Sequence, residues 1–255
     1  MNGRNTFSEA PASPEQILAI FQDWQRLELG RAPKESELLS FETTVGELLD
    51  FADFLNWKML GKGLNKFFET NFSAKELSVA IKPENKKTLR DVCALISSRA
   101  TLPLLNKAGY LGGSCKTASA FLVLREKLQG AGIEVSKIRP SSELSSFSKL
   151  HLQKIIETIL KLAPGGVPKI HIRAHVAHRF LGLVCLGCLV SLIISEIFGA
   201  HFVSAVSCAA LMVSFCGLTV TSHLPPAEVQ FEGMGTFADL CRAIAVQNAG
   251  GHSNK

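Results

Sequence analysis

Two stretches, Phe180–Phe198 (FLGLVCLGCLVSLIISEIF) and Phe202–Val220 (FVSAVSCAALMVSFCGLTV), decide how this chain reads. Each is 19 residues long. At 1.5 Å per residue such a helix runs about 29 Å, close to the roughly 30 Å of a bilayer's hydrocarbon core. Neither stretch is amphipathic, and a helix that is apolar all round must be covered on every side by lipid or by protein. Between 180 and 221 the only Asp, Glu, Lys or Arg is Glu196, at the turn. The sequence therefore predicts a two-helix transmembrane hairpin over Phe180–Thr221. Gly182, Gly187, Ser191, Ser204, Ser207, Ala210 and Ser214 are small enough to let its arms approach closely. Lys161, Lys169, Arg173 and Arg179 precede the first arm, whereas the turn Glu196–His201 has no Lys or Arg. That asymmetry predicts a multi-pass protein of an inner or plasma membrane, with both termini cytoplasmic and those four basic residues at the lipid surface.

Outward from the hairpin, the 255 residues are 47% hydrophobic and 19% charged, which excludes a disordered chain and leaves room for one or two domains. The net charge of +5 comes without a Lys/Arg run interleaved with aromatic residues, so nucleic acid is not an expected partner. The seven cysteines are odd in number and irregularly spaced, and four lie inside the apolar stretch, which argues against a disulfide framework and for a reducing compartment. The opening residues MNGRNTFSEAPASPEQ lack the apolar run of a secretory signal.

Helix starts are written clearly. Ser13-Pro14-Glu15-Gln16 offers an N-cap, a proline at the first helical position and a returning Gln, predicting a helix to about Leu29. VGELLDFADFLNWKML, residues 45–60, predicts a second helix, with short helices near Leu64–Phe68 and Ala74–Ala80. Thr88-Leu-Arg-Asp91 opens another, and TASAFLVLREKL predicts a helix ended by Gly130-Ala-Gly132. The grammar recurs. Ser36-Glu37-Leu38-x-Ser40-Phe41 reappears as Ser142-Glu143-Leu144-x-Ser146-Phe147, and Thr88-x-x-Asp91-Val92-Cys93-x-x-Ile96 as Thr236-x-x-Asp239-Leu240-Cys241-x-x-Ile244. The motifs stand 52 residues apart in the first copy and 94 in the second, an excess of 42 that equals the length of Phe180–Thr221. This predicts an internal duplication whose second copy received the hairpin.

The layout of a long first helix, a loop, a second helix, short connecting helices and a last helix opening on Thr-x-x-Asp resembles the acyl carrier protein family. The resemblance covers residues 13–98, and more weakly 117–179 joined to 222–247, with 99–116 as linker. It implies an all-α fold of two small carrier-like bundles, the second interrupted by the transmembrane hairpin. It also implies a phosphopantetheine serine in Asp-Ser-Leu at the start of the second helix, but Gly46-Glu47-Leu48 and Ser148-Lys149-Leu150 stand there instead. No cofactor is therefore expected. A carrier's acidic second helix has its counterpart in Glu47, Asp50 and Asp53, candidates for docking a basic protein partner.

Other constellations carry less. His171, His175 and His178 fall on one helical face at metal-ligand spacing, without an evident fourth ligand. Cys185-x-x-Cys188 sits in apolar surroundings unsuited to a reactive thiolate. Gly109–Thr117 (GYLGGSCKT) lacks the last glycine of a phosphate-binding loop. No catalytic set emerges. The expected function is a non-enzymatic, membrane-anchored docking protein. The alternatives are a working carrier with phosphopantetheine on Ser148 and a metal-handling membrane protein using His171, His175 and His178.

Overall fold

The computed structural model describes residues 7–52, 56–105, 109–110, 113–173, 184–191, 207–208, 211–212, 214 and 226–250. The chain forms two compact units, one of Met1–Leu144, His151–Ile170 and Phe231–Lys255, the other of Ser145–Leu150 and His171–Gln230.

Strand β1 (Phe7–Pro11) leads into helix α1 (Pro14–Leu29), and Glu35–Glu37 form one 3-10 turn. Helices α2 (Val45–Phe51), α3 (Trp57–Phe68), α4 (Ala74–Ile81) and α5 (Leu89–Ser97) follow, then strand β2 (Thr101–Leu105). The short strands β3 (Gly109–Tyr110) and β4 (Gly113–Ser114) precede α6 (Lys116–Gly130) and α7 (Leu144–Leu162). Strands β5 (Ile170–Arg173) and β6 (Glu228–Phe231) come before the last helix, α8 (Phe237–Gly250).

The predicted caps form. Ser13 accepts from the Gln16 amide at 3.2 Å while Gln16 accepts from the Ser13 amide at 2.9 Å. Ser73 with Glu76 closes a further capping box, beyond those predicted. Gly30, at φ 61°, ends α1 in the left-handed conformation that glycine adopts without penalty. The single helix expected over 45–60 is instead two: Asn56 is extended, and its side chain accepts from the amides of Lys58 and Met59 at 3.0 and 3.1 Å, starting α3 afresh. Helix α3 then absorbs the short helix expected at 64–68.

The all-α expectation is corrected. The described residues contain three two-stranded ribbons, of which β1–β2 and β3–β4 are antiparallel. Phe7 pairs with Leu105 and Pro11 with Thr101, across some 90 residues of sequence, so no local pattern announces the ribbon. The membrane expectation is corrected too. Among the described residues no helix is long and apolar enough to cross a bilayer. Within the two apolar stretches, residues 184–191 are described as helical. The remainder of both stretches, apart from 207–208, 211–212 and 214, lies outside the described residues. The two-span hairpin and the multi-pass placement in an inner or plasma membrane are accordingly not supported.

The first unit contains one hydrogen-bonded frame twice. In the first instance Val45 N donates to Lys87 O at 2.8 Å, Leu89 N to Thr43 O at 2.9 Å and Arg90 N to Phe41 O at 3.1 Å, around a Thr44–Thr88 bridge. In the second, Leu144 N donates to Gly235 O at 3.0 Å, Phe237 N to Ser142 O at 3.1 Å and Ala238 N to Pro140 O at 2.8 Å, around a Glu143–Thr236 bridge. Each frame stitches two helix N-termini together, and the first residues of those helices, Val45, Leu89, Leu144 and Phe237, are all buried. The sequence pairing of Thr88 with Thr236 matches this geometry. That of Ser36 with Ser142 does not, since Thr43 occupies the place of Ser142. The bridged residues are 44 apart in one frame and 93 in the other, so the excess length exceeds the 42 residues read from sequence. In each frame a long helix covers the last one: α1 packs on α5, and α6 on α8.

Candidate docking groove

Helices α1 and α3 do not close on each other completely. Ile20, Phe21 and Trp24 of α1, Leu60, Gly63, Leu64, Phe67 and Phe68 of α3, and Leu160 of α7 line an open trough of about 230 Å³. On α3 these residues recur at i, i+3, i+4, i+7 and i+8, the spacing of one helical face. Its floor is core: Ile20, Phe21, Leu60, Leu64, Phe68 and Leu160 are buried. At its mouth stands Gly63, where a Cβ would meet nothing within 4 Å.

The walls are braced from outside. Trp24 meets Phe51 edge to face at 6.0 Å, and Phe67 meets Phe68 similarly at 4.9 Å. Lys161 lies 5.4 Å from the centre of the Phe67 ring and reaches the Glu69 carboxylate at 2.6 Å. That contact holds the Glu69 carboxyl below its ordinary range, and Glu69 itself, at φ 55°, ends α3. The next turn is held by Asn65, whose amide donates to Phe72 O at 2.9 Å and whose carbonyl accepts from Phe72 N at 3.0 Å.

A second feature underlies the same helix. Asp23 of α1 is fully buried and accepts from the Gly165 amide at 2.7 Å, with Arg26 ion-paired to it. Gly165, at φ 81°, takes a left-handed conformation in the loop after α7. Burial outweighs the Arg26 charge and the amides, and pushes the Asp23 carboxyl up from 3.8 to about 6. A cleft of about 100 Å³ adjoins it between Leu27, Gly30, Arg31 and the segment Val167–Ile170. Its cations are engaged: Arg31 with Glu37 at 2.9 Å and Lys169 with Glu232 at 3.4 Å.

The residues singled out from sequence fare unevenly. Glu47 is exposed, but its carboxylate accepts from Thr44 N at 2.7 Å and the Thr44 hydroxyl at 2.9 Å, which lowers its pKa and commits it to capping α2. Asp50 is exposed, and Asp53 lies outside the described residues. Lys161, Lys169 and Arg173 are each ion-paired to a glutamate, Arg173 to Glu228 at 3.1 Å; Arg179 lies outside the described residues. His171 is exposed on β5, not on a helix, and His175 and His178 lie outside the described residues, among which no group of three His, Cys, Asp or Glu can hold a metal. Ser148 is fully buried. Cys185 and Cys188 are free and half-buried in helix 184–191.

Sequence spacing alone does not point to the groove. Its one local signal is Gly63 inside the aromatic, apolar face of a helix, a place where glycine costs stability. No protein-family model matches the chain, and neither does any curated protein or solved structure.

Proposed function

We propose that the chain is a non-enzymatic docking protein built on carrier-like helical modules, and that the trough between α1 and α3 is where a partner seats. The observation that carries this reading is an open trough lined by four aromatic rings, Phe21, Trp24, Phe67 and Phe68, with no polar side chain in its lining. A site without a nucleophile, acid or base has nothing with which to do chemistry, while a concave apolar surface is what a protruding apolar side chain requires. The carrier-like layout supports the same reading, because carriers act by being held. The full burial of Ser148 lends no support to a working carrier, since that hydroxyl does not face solvent.

Selection of helical peptides against the whole chain, in parallel with a Gly63→Phe variant that fills the trough, tests the proposal. Peptides enriched on the wild type and lost on Gly63→Phe are the expected result. Enriched peptides indifferent to that substitution would refute it.

A further inference from the structure

Helix α3 carries a second pattern on its outer side. Lys58, Lys62 and Lys66 recur every fourth residue, one per turn and about 6 Å apart along the axis, and all three are exposed. Among the described residues none of the three has a carboxylate partner, which is true also of Lys75, Lys86, Lys116 and Lys149; what sets the three apart is that they form one row along a single helix. At 100° per residue, Phe67 and Gly63 face the trough, Met59 lies next to them, and Lys66 and then Lys62 follow on the outer shoulder. Met59 is 44% exposed, so the apolar wall continues over the lip before the charge begins.

Resting on the docking reading above, we propose that the trough receives an acidic amphipathic helix of a partner protein. Its large apolar residues at i and i+4 enter beside Gly63, and its carboxylates, one turn apart, face Lys62 and Lys66. Charge complementarity selects this occupant. A row of cations in step with the helical pitch is matched by carboxylates on a second helix, and an adjoining apolar trough is matched by that helix's other face. A nucleic acid has no use for the trough, and the features that read bases are missing. There is no arginine in the row, and the nearby Trp57 ring is covered by Lys82 at 4.8 Å. An acyl chain would fill the trough but brings one head group to a row of cations two turns long.

The test uses the whole chain and a synthetic helix of about 20 residues, long enough to hold its shape, with leucines on one face and glutamates beside them, read by fluorescence anisotropy. Saturable binding is expected, weakened about tenfold or more in Lys62→Glu/Lys66→Glu and recovered when the peptide's glutamates become lysines. Both substitutions lie on an exposed face, and circular dichroism checks that the variant keeps its helices. If charge reversal leaves affinity unchanged while Gly63→Phe abolishes binding, the acidic partner is overturned and the docking reading stands. If neither change matters, both fall. Binding of phosphatidylglycerol vesicles or duplex DNA that depends on Lys62 and Lys66, without binding of the peptide, also overturns the proposal.

Discussion

Replacing Asp23 with asparagine should change how stability depends on pH. The Asp23 carboxyl is fully buried, and its pKa rises from 3.8 to about 6. Between those values the folded chain keeps a proton that the unfolded chain releases, so folding takes up a proton and stability falls as pH rises. The favourable contribution is complete below about 3.8 and is lost through about 6. At about 1.4 kcal/mol per pH unit the difference is about 3 kcal/mol. Asparagine does not titrate, yet its carbonyl still accepts from Gly165, so the variant has a constant offset and no such slope. Urea unfolding of both proteins from pH 4 to pH 7 reads the difference directly, with the other carboxylates cancelling. Wild type should lose roughly 2–2.5 kcal/mol relative to Asp23→Asn over that interval, the rest of the effect lying below pH 4. A flat difference would mean that Arg26 and the loop amides cancel the effect of burial, one of opposite sign that they outweigh it, and either would refute the reasoning.

Three further outcomes follow from the packing. Gly63→Ala places its methyl in open space within a helix, so it should raise stability by about 0.5–1 kcal/mol, visible as a higher Tm. Leu89→Ala and Phe237→Ala occupy the same place in the two bridged frames and should each cost about 2–5 kcal/mol in urea unfolding; a much smaller cost at Phe237 would mean the second frame is not a packed seam. Cys93 and Cys241 are buried with thiols pushed up to about 12, whereas Cys115 is exposed, so native labelling with iodoacetamide at pH 8 should modify Cys115 and spare the other two, as peptide mass mapping will show.

What could be read from the sequence was local. The capping pairs at Ser13, Thr88 and Thr236 span three residues, and each stands at the start of the helix it predicted, because a cap is decided by neighbours along the chain. Asn56 shows the limit: by spacing it belongs to one continuous helix over 45–60, yet its capping bonds start α3 afresh. The β1–β2 ribbon joins two strands that each contain a proline and lie far apart, so neither pattern nor propensity marks it. Asp23 has the appearance of an ordinary helix-surface acid until the loop carrying Gly165 closes over it. The groove depends on how three helices pack, and a periodicity cannot distinguish a filled face from an open one. The apolar stretches promised spanning helices by their length, yet among the described residues no helix is long and apolar enough to cross a bilayer.

The chain has two tryptophans, one of which, Trp24, lines the groove. In a Trp57→Phe background the emission of Trp24 therefore reports on the trough alone. Titration with the leucine and glutamate helix should shift that emission to the blue and saturate, as water leaves the ring, and Gly63→Phe should abolish the shift. Saturable binding by anisotropy with unchanged Trp24 emission would place the partner elsewhere and contradict the account.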